Sequence, residues 1–170
     1  MTRRLQLEQA LLWLFVLLAG IVMGGGLYEM RVIVPLWAHS PPDSAWYWEA
    51  QRIANPQYAP NSGLRFWIFV TPAHLLVSVA TLLAGWRATG AHRRWLFGAT
   101  ITFIVLHVSA LMWFVPTIGQ ILNSRSLGVS AEDVVRKTQM WVALSWARGA
   151  LGIAAYAAGL LAVATAPRRE

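Results

Sequence analysis

Glu29 and Arg31 close the first long apolar run of the chain, His74 and His107 fall inside the second and third, and Arg148 lies inside the fourth. At such positions an unpaired charge costs roughly 2.5 to 3.5 kcal/mol or more, so each group needs a partner or a task. The set contains what proton abstraction requires. An imidazole kept neutral by burial can take a proton, and a permanently charged guanidinium can hold the anion that forms. In that chemistry His74 or His107 is the base and Arg148 holds the oxyanion. Tyr28 can donate a hydrogen bond, and Glu29 can orient an imidazole or carry the proton outward. The same residues also read as ligands. His74 and His107 with Glu29 offer two histidines and one carboxylate to a divalent metal, and the two histidines alone could hold a b-type haem. Cofactor-free chemistry, a divalent metal and haem b all stay open at this point, as do a non-catalytic lipid-binding or partner module, a structural salt bridge and an inter-helix histidine strut.

Composition decides the class of scaffold. With 57% hydrophobic and only 12% charged residues and a mean hydropathy of +0.50, the chain is far from the roughly 25% charged of soluble domains. It reads as an all-α integral membrane protein, a single transmembrane domain over residues 1–170. The absence of cysteine removes thiol-dependent redox chemistry and thiolate metal sites. The +7 charge does not point to nucleic acid, because the arginines punctuate helix ends as topology signals do. The expected partners are membrane lipid and a lipophilic small molecule; a homo-oligomer remains open. Arg3 and Arg4 before a leucine-rich run imitate a secretory signal, but the apolar stretch is longer than a signal core and reads as an anchor.

Apolar windows of about 20 residues match a bilayer core and predict spans near 10–30, 66–86, 95–115 and 141–164. Together they give an antiparallel four-helix bundle with two longer loops, 31–65 and 116–140, on the outer side. Basic residues at the ends of the spans, among them Arg3, Arg4, Arg87, Arg93, Arg94, Arg168 and Arg169, favour an inner-membrane, multi-pass protein with both termini cytoplasmic. His74 lies seven residues in from Trp67, about 10 Å along a helix axis, and His107 eight in from Val115, about 12 Å. Antiparallel neighbours would therefore bring the two imidazoles to one depth, and Arg148 sits about as far in. Thr71, His74, Ser78, Thr81 and Gly85 form a polar and small stripe at helical spacing, as do Trp141, Ser145, Arg148, Gly152, Ala155 and Gly159. On the His107 face the expected neighbours are Thr100, Phe103, Leu111 and Phe114. Three consecutive glycines, Gly24 to Gly26, would admit a close neighbour beside Glu29.

Prolines break the first outer loop and leave room for a short helix over Ser44 to Ile53, capped by Asp43 or Ser44. Ser130 before Glu132 and Asp133 predicts the start of the fourth helix. His39 and His92 are expected to face solvent. Tryptophans crowd the outer half. Trp67, Trp113 and Trp141 suit an interfacial belt, while Trp37, Trp46 and Trp48 could form a lid with rings turned to a site. Candidate substrate contacts are Trp37, Trp67, Phe103, Trp113, Phe114, Trp146 and Arg31.

The segments "GGGLYEMRVIVPLW" followed by "PP", "FW" at the entry to the second helix, "FVPTIGQIL" and "WVALSWARGALG" resemble, in order and over nearly the whole chain, bacterial members of the four-helix membrane family that includes the fungal anthrone oxygenases. That family commonly carries Asn-Trp-x-x-Arg or a similar polar-Trp-Arg pattern on its last helix. Here Ser145-Trp146-Ala147-Arg148 has Ser for Asn and one residue fewer. The resemblance implies a four-helix fold and oxygenase chemistry on a lipophilic aromatic or phenolic compound.

Overall fold

The computed structural model describes residues 3–55 and 63–167. The expected breaks at Pro56 and Pro60 and the basic tail at Arg168 and Arg169 lie outside them. The described residues form helices and no strand: α1 (Arg3–Tyr28), α2 (Val34–Ala38), α3 (Asp43–Ala54), α4 (Leu64–Ala84), α5 (Gly90–Ser109), α6 (Val115–Leu122) and α7 (Ala131–Ala164). Four continuous stretches, Leu5–Ala38, Arg65–Arg87, Gly90–Leu122 and Ala131–Ala164, are long and apolar enough to cross a bilayer. The chain is an all-α, multi-pass membrane protein.

Two of these stretches outrun their expected ends, and the cause is local. A proline inside a helix lacks an N–H and presses on the carbonyl four residues back. Just before Pro35 and Pro116 the helix widens into a π turn, Glu29–Ile33 and Ala110–Phe114, in which the N–H of Val34 reaches the Glu29 carbonyl and that of Val115 the Ala110 carbonyl. Each proline then stands in the first turn of the next segment, where its missing N–H costs little. The first helix thus continues past Met30 to Ala38 and the third past Val115 to Leu122. The extra residue in the second π turn also rotates the helical face beyond it. Leu111, expected beside His107, is turned outward and 51% exposed, and the buried face runs through Ala110, Phe114, Thr117 and Ile121 instead.

Two compact units divide the chain, one of residues 1–24, 69–107 and 150–170, the other of 25–68 and 108–149. In the first, each helix buries one stripe. Glu8, Leu12, Phe15, Val16, Ala19 and Val22 line α1, and the predicted Thr71, His74, Ser78, Thr81 and Gly85 line α4 and its end. Small residues set the spacing here. A Cβ on Gly85 would lie 2.7 Å from Leu96 Cδ1, and one on Gly159 would lie 3.1 Å from the Phe15 ring. The α4 hydroxyls return to their own helix, Ser78 to the His74 carbonyl (2.7 Å) and Thr81 to Val77 (2.7 Å), and Thr81 also reaches the Leu11 carbonyl on α1 at 3.2 Å.

The second unit has its own core, in which Val34, Trp37, Ala45, Phe114, Ile121, Leu122, Val134 and Trp141 pack together. The Trp141 indole donates to the Phe114 carbonyl at 3.0 Å. The short helix α3 forms as expected, but neither Asp43 nor Ser44 caps it. The Ser44 hydroxyl donates instead to the Trp37 carbonyl at 2.8 Å, fastening α3 to α2. Ser130 does cap α7, accepting from the Asp133 N–H at 3.2 Å. From α3, buried Glu49 accepts the Arg125 N–H at 2.9 Å, the Ser126 N–H at 2.9 Å and the Ser126 hydroxyl. One turn on, Arg52 donates to the Leu122 carbonyl (2.8 Å) and to Asn123 Oδ1 (2.7 Å), closing the C-terminus of α6.

Candidate functional site

The structure builds a histidine pair in the first unit and a carboxylate with a guanidinium in the second. His74 from α4 and His107 from α5 face each other, His107 Nε2 standing 2.9 Å from His74 Nδ1. One ring donates and the other accepts. Both side chains are buried, at 0% and 1% exposure. Phe103 packs against the two rings with centroids 4.6 Å and 6.1 Å away, and Phe15 lies 5.1 Å from His74. The imidazoles thus share one depth and sit in an aromatic pocket, as their spacing predicts.

This geometry leaves no place for a metal or a haem iron between the two rings. Each facing nitrogen is aimed at the other along a hydrogen bond. An iron between them, with metal–nitrogen bonds of about 2 Å on each side, would hold the nitrogens about 4 Å apart. Among the described residues no three His, Asp or Glu side chains are grouped to hold an ion.

In the second unit the Trp67 indole donates to Glu29 Oε2 at 2.7 Å. Of the glycine triplet only Gly25 faces the same corner, where a Cβ would meet the Phe66 ring at 2.7 Å and Trp67 at 3.6 Å, while one on Gly24 or Gly26 would meet nothing within 4 Å. Gly63, held at φ +77° where a side chain is strained, leaves Glu29 Oε1 only 3.3 Å from where its own Cβ would be. Arg148 lies in electrostatic reach of Glu29. Its Cζ lies over the Phe114 ring, 5.0 Å from the centroid. The ion pairs within 4 Å among the described residues are Glu8 with His92 and Asp133 with Arg136, so Glu29 and Arg148 attract each other across a gap.

Arg31 does not take part in this pair. It is exposed, with its Cζ 5.3 Å from the centroid of the half-exposed Trp146 ring. Tyr28 is 59% exposed. Trp113 packs edge-on to Phe114 at 4.7 Å. Trp37 is a core residue, fully buried and 5.4 Å from the Trp141 ring. The indole N–H groups of Trp37, Trp46 and Trp48 are buried and find no acceptor among the described residues, a cost of about 1–3 kcal/mol each if nothing meets them.

His39 is exposed as expected, with Nδ1 2.9 Å from the Pro35 carbonyl. His92 is not. It is 6% exposed, with Nε2 2.9 Å from Glu8 Oε1 and Nδ1 2.8 Å from the Ala162 carbonyl. The adjacent Arg93 and Arg94 suggest a solvated turn, yet positions 92, 96, 99, 100, 103 and 107 follow one helical face and are all buried. The same period places Glu8 on the α1 face with Leu12 and Phe15. No protein-family model, curated protein or solved structure matches this chain.

Proposed function

We propose that the protein binds a lipophilic phenolic or related aromatic compound beside Glu29 and Arg148 and promotes its reaction with dioxygen. The observation that carries this reading is that the two charges lie near enough to attract each other and yet form no direct ion pair. Trp67 holds one carboxylate oxygen of Glu29, the Arg148 guanidinium carbon lies over the Phe114 ring, and no direct ion pair joins the two charges. A carboxylate held in this way accepts a proton from the substrate. The guanidinium, which stays charged, stabilises the aryl oxyanion that remains. The electron-rich carbon then reacts with dioxygen, the oxidant. A ring methylene gives up both hydrogens and becomes a carbonyl, one oxygen atom entering the product and the other leaving as water. The resemblance to the anthrone oxygenase family favours the same chemistry.

The histidine pair takes a different role in this reading. Its facing nitrogens are engaged with one another and the rings are sealed by Phe15 and Phe103, which suits a strut joining α4 to α5 better than a base exposed to substrate. The spans run antiparallel, with the arginine-rich ends on the cytoplasmic side of the inner membrane.

The test uses purified protein in detergent with anthrone as the probe, read by thermal unfolding and by dioxygen uptake. Wild type is expected to be stabilised by the probe and to consume dioxygen. Arg148→Lys should keep the fold but lose at least about tenfold in rate, since an ammonium does not reproduce the planar fork. If Arg148→Ala changes neither melting nor the response to the probe, the site lies elsewhere.

A further inference from the structure

A cleft of about 580 Å³ opens in the first unit, lined by Leu5, Glu8, Arg87, Thr89, His92 and Thr165 among others. Its walls are the ends of the candidate spans. Leu5 begins the first, Arg87 ends the second, His92 lies two residues into the third, and Thr165 comes just after the last residue of the fourth. Such a position is where headgroups meet a membrane protein.

Charge in the cleft is one-sided despite Glu8. The Glu8 carboxylate is met by His92 at 2.9 Å, and the other His92 nitrogen faces the Ala162 carbonyl at 2.8 Å. A carbonyl and an ionised carboxylate bring no proton to these contacts. Both hydrogen bonds therefore form together when the Glu8–His92 pair carries one proton per contact, in which state the pair has no net charge. Arg87 is left as the charge of the wall. It is exposed and, among the described residues, no carboxylate lies within 4 Å of it. Close to these lining residues in the sequence stand Arg3, Arg4, Arg93, Arg94, Arg168 and Arg169, against the single acid Glu170.

We propose that this cleft binds the phosphate headgroup of an anionic phospholipid. Arg87 meets the phosphate, the Thr89 hydroxyl is placed to donate to it, and Leu5 offers an apolar edge to the start of the acyl chains. Basic groups just beyond the ends of spans recognise anionic headgroups by the same electrostatics, and the guanidinium fork matches a phosphate's oxygens. The Glu8–His92 pair shapes the wall without repelling the ligand. This site is independent of the one at Glu29 and Arg148 and does not depend on any catalytic reading.

The full chain in detergent, challenged in turn with phosphatidylglycerol, phosphatidylcholine and inorganic phosphate, tests it by thermal unfolding and by retention of lipid in native mass spectrometry. Phosphatidylglycerol is expected to raise the melting temperature and to be retained, and the other two to do neither. Arg87→Gln should melt like wild type without lipid and weaken phosphatidylglycerol binding about fivefold. Thr89→Val should weaken it less, and Arg136→Gln, which alters an exposed arginine already paired with Asp133, should leave it unchanged. Equal responses to phosphatidylglycerol and phosphatidylcholine, or wild-type retention in both Arg87→Gln and Thr89→Val, would overturn the proposal. An equal response to inorganic phosphate would move the site to a free anion and overturn the lipid assignment.

Discussion

Glu29 and Arg148 show how two partly buried charges are held near each other without a direct ion pair. Each is supported by an aromatic group of a different kind, an indole N–H for the carboxylate and a ring face for the guanidinium. Removing one of two buried partners strands the other, whereas replacing both by neutral groups of similar size removes the penalty together with the attraction. Arg148→Met with Glu29→Gln in one chain is therefore expected to melt at a higher temperature than either single variant, measured in detergent without substrate. A double variant no more stable than the weaker single one would mean that the two charges act independently. Sequence alone identified both residues, because a charge inside an apolar run is visible without coordinates. It did not show that Trp67, rather than Arg31, supports Glu29, since that depends on how Arg31 turns toward Trp146 within the π turn.

Among the elements, α3 is tied to its neighbours by several polar bonds. Burial alone would push the Glu49 carboxyl up, but hydrogen bonds from Ser126 and from the Arg125 backbone, with the nearby Arg52 charge, outweigh it and hold the group below its ordinary range. Its stabilisation is thus present at pH values above the ordinary carboxylate range and is lost as pH falls through the depressed value. Glu49→Gln should cost about 1–3 kcal/mol near neutral pH, and the gap between wild type and variant should narrow as the medium is acidified. Thermal melts of both proteins across that range decide it, and a gap independent of pH would rule out the ionised carboxylate as the cause. The short helix itself was legible from Pro41, Pro42 and Asp43, and the buried stripe on α4 from three- and four-residue steps. What stayed hidden were the π turns, because no local propensity distinguishes a helix that ends at a proline from one that widens to pass it. Leu111 was misplaced for that reason alone. His92 was missed for another, that its arginine neighbours outweighed its place on the Leu96–Phe103 face.

At the scale of the whole molecule, the direction of the spans is dictated by the reach of their connections. Only Ala88 and Thr89 join the second span to the third, and such a link extends at most about 3.6 Å per residue against a bilayer core of about 30 Å. If both cross the bilayer, they cross it in opposite directions. Residues 123–128 fold into consecutive turns before α7, so the third and fourth spans are joined on one side as well. Since the chain has no cysteine, single cysteines introduced at exposed positions report topology against a silent background. Thr89→Cys and Leu127→Cys serve, as both residues are exposed. With the arginine-rich ends cytoplasmic, a membrane-impermeant maleimide added to intact cells should label the cysteine at 127, and the one at 89 only after permeabilisation. The reverse pattern would invert the protein in the membrane and place the cleft at Arg87 on the external face. Labelling of both from one side would mean that the third stretch, Gly90–Leu122, does not cross the bilayer.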